Sequence, residues 1–113
     1  MSSPGRVMLF IGVNTAGSAI NHLFPVWMEL LGLEACLEGV DVPIDAPPAR
    51  FREVIDAVWR REDVEGALIT THKISILRHA GDRFAELDRY ARMLGEVSAI
   101  RKLDGRLIGR AHV

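Results

Sequence analysis

Val7-Met8-Leu9-Phe10-Ile11 is an unbroken apolar run closed by Gly12, the pattern of a strand buried on both faces of a parallel sheet. A small, polar stretch from Asn14 to Ser18 separates it from Leu23, Phe24, Trp27, Leu30 and Leu31, whose spacing makes one helical stripe. Gly32 is a fitting stop for that helix. Pro25 is expected in its first turn, where a missing N–H costs little, so the spacing predicts a start between Asn21 and Phe24. Ala35 to Val42 mixes apolar with acidic residues, as a more exposed strand does, and Pro43, Pro47 and Pro48 then interrupt regular structure.

Phe51, Val54, Ile55, Val58 and Trp59 return at helical spacing with Arg and Glu between them, predicting a second crossover helix. Ala67-Leu68-Ile69-Thr70 reads as a third strand running into His72-Lys73. A short helix over Ile74 to Ala80 is closed by Gly81. Asp82 is a candidate cap for a further helix carrying Phe84, Leu87, Ala91 and Leu94 on one side. Val97 to Arg101 and Arg106-Leu107-Ile108 flank Lys102-Leu103-Asp104-Gly105, in which Asp-Gly is a hairpin signal. Strands alternating with helices and then a hairpin predict an α/β fold: a three-layer αβα sandwich with a mainly parallel sheet and a C-terminal β-hairpin.

A length of 113 residues suits one domain over 1–113, with a core that needs no metal or disulfide. Fourteen Lys and Arg against fifteen Asp and Glu leave a net charge of -1 with no basic run, which argues against nucleic acid as a partner. Cys36 is the only cysteine, so no intrachain disulfide forms, and a buried thiol in a reducing cytoplasm is the expectation. The apolar run near the N-terminus is too short to span a membrane and lacks a signal-peptide cleavage pattern. The chain stops at Gly109-Arg110-Ala111-His112-Val113 without a turn or tail composition, and an excised domain of a longer polypeptide is expected.

Ligands of open parallel sheets bind at the carboxyl ends of the strands. Two loops stand there. Gly12 to Ser18 offers Asn14 and Ser18, although without a GxGxxG it is also readable as a plain strand-to-helix connection. Thr70-Thr71-His72-Lys73 brings two hydroxyls, an imidazole and an ammonium into four consecutive residues. Its plainer reading has a threonine capping the next helix, Lys73 as a solvated charge and His72 as a structural hydrogen-bonding partner. His22, His79 and His112 are scattered, no spacing suggests a metal site, and there is no GxSxG elbow.

These pieces, in this order, resemble the N-terminal domain of the shikimate dehydrogenase family. The family's Gly-x-Pro-x-x-x-Ser-x-Ser-Pro is similar to the segment from Gly12 through Ser18, Ile20 and Asn21. Its Gly-x-Asn-Val-Thr-x-Pro-x-Lys is similar to Gly66 through Thr70, Thr71 and Lys73 with one residue fewer. Its Ala-x-x-x-Gly-Ala-Val-Asn-Thr is similar to Ala91 through Gly95, Val97, Ser98 and Ala99. A closing hairpin, Asp-Gly-x-Leu-x-Gly-x-Asn-Thr-Asp, matches Asp104-Gly105-Arg106-Leu107-Ile108-Gly109 and runs to Val113.

The resemblance implies the substrate-binding domain of a shikimate/quinate dehydrogenase-like oxidoreductase acting on the CH–OH group of a small cyclic hydroxy acid, in aromatic amino acid biosynthesis. It implies Lys73 as the catalytic proton-transfer residue, with Ser18, Thr70, Thr71 and Ser98 orienting the substrate. NADP, or alternatively NAD, would be bound by a separate C-terminal Rossmann domain and by no residue of this chain. Alone, the segment would turn nothing over. The expected setting is cytoplasmic, without membrane or nucleic-acid partners, with a small-molecule substrate and room for a homodimer. Asparagines of the family's middle and third motifs are replaced by Ala67 or Leu68 and by Ser98, and two further departures alter the site: Ile20 stands where the family has a second serine, and Val113 where it has the catalytic aspartate. They motivate the alternative of a non-catalytic domain that binds a small molecule or a partner. Loss of a hydrogen-bonding group changes substrate choice strongly, so a substrate other than shikimate is expected.

Overall fold

A computed structural model describes residues 6–111; Val113, one of the departures above, lies outside them. β1 (Arg6–Gly12), α1 (Ile20–Leu31), β2 (Ala35–Asp41), α2 (Pro48–Arg60), β3 (Val64–Ile69), α3 (Lys73–Ala80), β4 (Phe84–Leu87), α4 (Arg89–Leu94), β5 (Ala99–Leu103) and β6 (Arg106–Arg110) follow in chain order. The six strands form one sheet in the order β2-β1-β3-β5-β6-β4. β1 pairs in parallel with β2 and β3, and β4 with β6, while β3–β5 and β5–β6 are antiparallel. The sheet is therefore mixed and mainly parallel, flanked by helices as the alternation of patterns predicts.

Handedness distributes the layers. β2 and β3 lie on opposite sides of β1, and parallel crossovers are right-handed, so α1 and α2 cover opposite faces. Val7, Leu9 and Ile11 point alternately from β1 into a cluster with Phe51, Val54, Ile55 and Val58 of α2 and Ile76 of α3. Each such side chain contributes about 1.5–3 kcal/mol on leaving water. Phe10, on the other face, and Phe24 of α1 are buried outside that cluster. The hairpin closes on Asp104 and Gly105 with φ of 52° and 73°, the left-handed pair that a two-residue turn between twisted strands requires. Trp59 Nε1 donates to the Gly105 carbonyl at 2.7 Å and joins α2 to that turn.

The structure corrects four sequence expectations. α1 starts at Ile20, so Pro25 sits beyond the first turn and deprives the Asn21 carbonyl of its helical donor. The earlier start is explained by Asn21, whose amide donates to the carbonyls of Thr15, Ala16 and Ser18 at 2.7, 3.3 and 3.1 Å. The stripe on α1 is only partly a core face: Phe24 is buried, whereas Leu23, Trp27, Leu30 and Leu31 are exposed. The helix expected from Asp82 is instead a 3-10 turn over Gly81–Arg83, then β4, then α4. Asp88, not Asp82, caps the helix, accepting from Ala91 N–H at 2.8 Å. Cys36 is exposed, because β2 is an edge strand with one face open to solvent. Among the described residues, no helix is long and apolar enough to cross a membrane.

Candidate functional site

The carboxyl ends of β1, β2 and β3 are tied to one another. Thr70 N–H donates to the Ile11 carbonyl at 2.9 Å and Val42 N–H to the Gly12 carbonyl at 2.8 Å. His72 Nε2 lies 2.7 Å from the Val42 carbonyl oxygen. That oxygen can only accept, so the ring carries a proton on Nε2. His72 is buried, with the Phe51 ring edge-on to it at 5.2 Å. The structural role read for this histidine holds.

Between β3 and α3 the backbone makes a tight reversal. His72 N–H donates to the Thr70 carbonyl at 2.7 Å, and Thr71 between them has a φ of 67°. This is a γ-turn of the rare, strained hand. His72 takes the cap position of α3 without a side-chain capping bond, so the threonine cap considered from sequence does not form. Thr70 and Thr71 remain exposed, and Lys73, the first residue of α3, is half-buried.

Ser98 is brought to the same strand end through the backbone. Its carbonyl accepts from Ile69 N–H at 2.9 Å, and the neighbouring Val97 N–H donates to the Lys73 carbonyl at 3.0 Å. The Ser98 side chain is buried and donates to the Arg110 carbonyl at 3.3 Å. Thr70, Thr71, Lys73 and Ser98 thus share one end of the sheet.

Ser18 stands on the other loop, after β1. Its N–H donates to the Thr15 carbonyl at 3.2 Å, and its Oγ accepts from Ile20 N–H at 3.4 Å. The loop is anchored through residues that the sequence reading passed over. Thr15 donates from both N–H and Oγ1 to Asp41 Oδ1, at 2.9 and 2.7 Å. The backbone bond, and then the hydroxyl bond, hold the Asp41 carboxyl below the usual aspartate range. A threonine three residues past a strand-closing glycine carries no signal of this, because its partner is 26 residues away. The two loops meet at Gly12, where an added Cβ would fall 2.7 Å from Thr70 Cγ2 and 3.4 Å from Thr15 Cγ2.

The loops at this end of the sheet carry hydroxyls and one primary amine, groups of the kind that bond carboxylates and alcohols. The Thr70 methyl fills the space beside Gly12, and no buried side-chain polar atom among the described residues lacks a partner. Nor does any group of three or more His, Cys, Asp and Glu among the described residues stand ready for a metal ion. An open depression of about 430 Å3 lined by Phe84, Ala85, Glu86, Leu87 and Arg92 lies at the β4 edge of the sheet and contains none of these residues.

No family model matches the chain. It is 34% identical over 100 residues to a shikimate dehydrogenase (NADP(+)) of Exiguobacterium, a match covering 88% of this chain and 35% of that protein. A crystal structure of a shikimate dehydrogenase in complex with NADP+ superposes with a TM-score of 0.77 at 26% identity, covering 94% of this chain and 34% of the other. The shikimate 5-dehydrogenase of Thermus thermophilus, in complex with NADP(H) and shikimate, gives 0.71 at 27% identity over 93% of this chain and 37% of the other. The chain therefore spans about a third of the length of the relatives it matches.

Proposed function

A divergent relative of the shikimate dehydrogenases over their substrate-binding part, the chain is, we propose, the substrate-holding portion of an NADP-dependent oxidoreductase that oxidises the CH–OH group of a small cyclic hydroxy acid. What supports this reading is the loop 70–73, which carries two threonines and Lys73 directly after β3 within a matching fold. Oxidation of an alcohol removes a hydride from carbon and a proton from oxygen. A nicotinamide cofactor held outside the described residues, NADP or alternatively NAD, would accept the hydride.

The chain's own residues have the remaining tasks. Lys73 Nζ moves the proton at the hydroxyl being oxidised, a contribution of about 10²–10⁴-fold for a positioned acid–base group. Thr70 and Thr71 donate to the other ring oxygens. Ser18, whose Oγ already accepts from Ile20 N–H, directs its own O–H toward the carboxylate. Ser98, whose Oγ donates to the Arg110 carbonyl, stands at the same strand end and helps to orient the substrate. With Ile20 where the family has a second serine, one hydroxyl donor remains at Ser18, which favours an acid other than shikimate.

The test is oxidation of a panel of cyclic hydroxy acids, including shikimate and quinate, by the whole protein with NADP+ and with NAD+. Turnover of one member supports the reading and names the substrate. Binding of a member without turnover by either cofactor favours the alternative, a domain that holds a small molecule and has lost catalysis, which Ile20 and Val113 motivate.

A further inference from the structure

We propose that His72 is a positioning residue: its bond to the Val42 carbonyl holds Thr71 in the positive-φ turn and thereby fixes where Lys73 enters α3. The inference rests on Lys73 being the proton-transfer group proposed above. A β-branched residue at φ 67° is disfavoured, and such a conformation persists only where the surroundings over-determine it. The surroundings here are specific. His72 closes the turn through its own N–H to Thr70 and then reaches with its ring to Val42, the residue that follows β2.

Both ends of that reach are fixed. Val42 is fully buried, and its N–H is bonded to Gly12, so the accepting carbonyl has little room to follow a moving loop. His72 is 2% exposed, and its ring packs against Phe51, which is itself stacked on His79 at 5.8 Å. Water is thereby kept from competing for the bond, and a bond in such surroundings is electrostatically stronger. Lys73 is the next residue along the chain, so any relaxation of Thr71 is passed directly to its Cα. A misplacement of about 1 Å at a reacting group can cost on the order of 10²-fold in rate.

The experiment uses the whole protein, with His72→Leu removing the donor and His72→Gln keeping one near the same place. NMR reads the φ of residue 71 from its HN–Hα coupling and carbon shifts, and the ring tautomer of His72 from its ring nitrogen shifts. For whichever hydroxy acid turns over, kcat and KM are measured. In the native protein the ring shows an Nε2-bound proton. His72→Leu brings residue 71 to negative φ and lowers kcat about 10–100-fold, with KM within about 3-fold; His72→Gln keeps the native φ and most of kcat.

A native ring protonated on Nδ1 alone overturns the proposal, and this holds even if His72→Leu does not fold. So does a folded His72→Leu protein with residue 71 unchanged. If no hydroxy acid is oxidised, the dehydrogenase reading fails separately, and the tautomer and the φ of residue 71 still decide the latch.

Discussion

Gly66 of β3 passes so close to Ile100 of β5 that a Cβ at position 66 would collide with the Ile100 carbonyl oxygen. This contact sets the distance between the strand that ends in the candidate site and the strand that follows Ser98. Backbone cannot rotate aside as a side chain can. Gly66→Ala is expected to cost about 3 kcal/mol, read as a fall in the urea midpoint, and an unchanged midpoint would show that the two strands are looser than described.

Thr71 carries a conformation that glycine adopts without steric cost. Thr71→Gly is expected to stabilise the protein by about 0.5–1 kcal/mol, less than the full penalty of a left-handed residue because glycine gives up more entropy on folding. Thermal denaturation measures the gain. A loss of stability would mean that the Thr71 side chain makes contacts worth more than the strain.

Lys102 Nζ donates to the carbonyls of Val58 and Arg61 at 3.1 and 2.6 Å, at the carboxyl end of α2. A cation there satisfies acceptors that the helix leaves open and meets the negative end of its dipole. Lys102→Met should lower stability by about 1–2 kcal/mol, whereas Arg106→Met, on an exposed residue of β6, should change it by less than about 0.5 kcal/mol. Equal effects in the two variants would remove the capping role.

Four carboxylates are held below their ordinary range: Glu38 and Asp63 by hydrogen bonds from Arg61, Asp82 by Arg52, and Asp41 by the Thr15 backbone N–H and hydroxyl. A depressed native pKa stabilises the fold fully above the unfolded value of about 4 and the contribution disappears as pH falls through the lowered native value. Glu38, Asp41 and Asp82 are exposed and Asp63 is half-buried, so the effect is small and weakened by salt. The contribution of these four groups should be constant down to about pH 5 and decline below about pH 4, read by comparing the acid unfolding of the native protein with that of Arg61→Met. In Thr15→Val the Asp41 carboxyl, followed by carbon NMR, should titrate at higher pH than in the native protein.

Much of the architecture is legible along the chain because it is local. The apolar runs of β1 and β3, the stripe Phe51, Val54, Ile55 and Val58, and the Asp104-Gly105 turn all appear where their patterns place them. β4 was not legible: Phe84 and Leu87 are three apart, which suits a helical turn as well as a four-residue strand, and only pairing with β6 decides between them. Pro25 was misplaced because the anchor that starts α1 early is a set of side-chain bonds from Asn21 back to the loop. The candidate site divides in the same way. The chemistry of Thr70, Thr71 and Lys73 is visible in four letters, whereas the bond that braces them joins residues 30 apart, and no periodicity announces it.

The most direct test of the central claim is the rate at which the whole protein and its Lys73→Ala variant oxidise the best hydroxy acid of the panel with NADP+ or NAD+. With Lys73 as the proton-transfer group, kcat falls at least about 100-fold while the variant keeps its fold. A folded Lys73→Ala protein that retains native kcat would contradict the assignment.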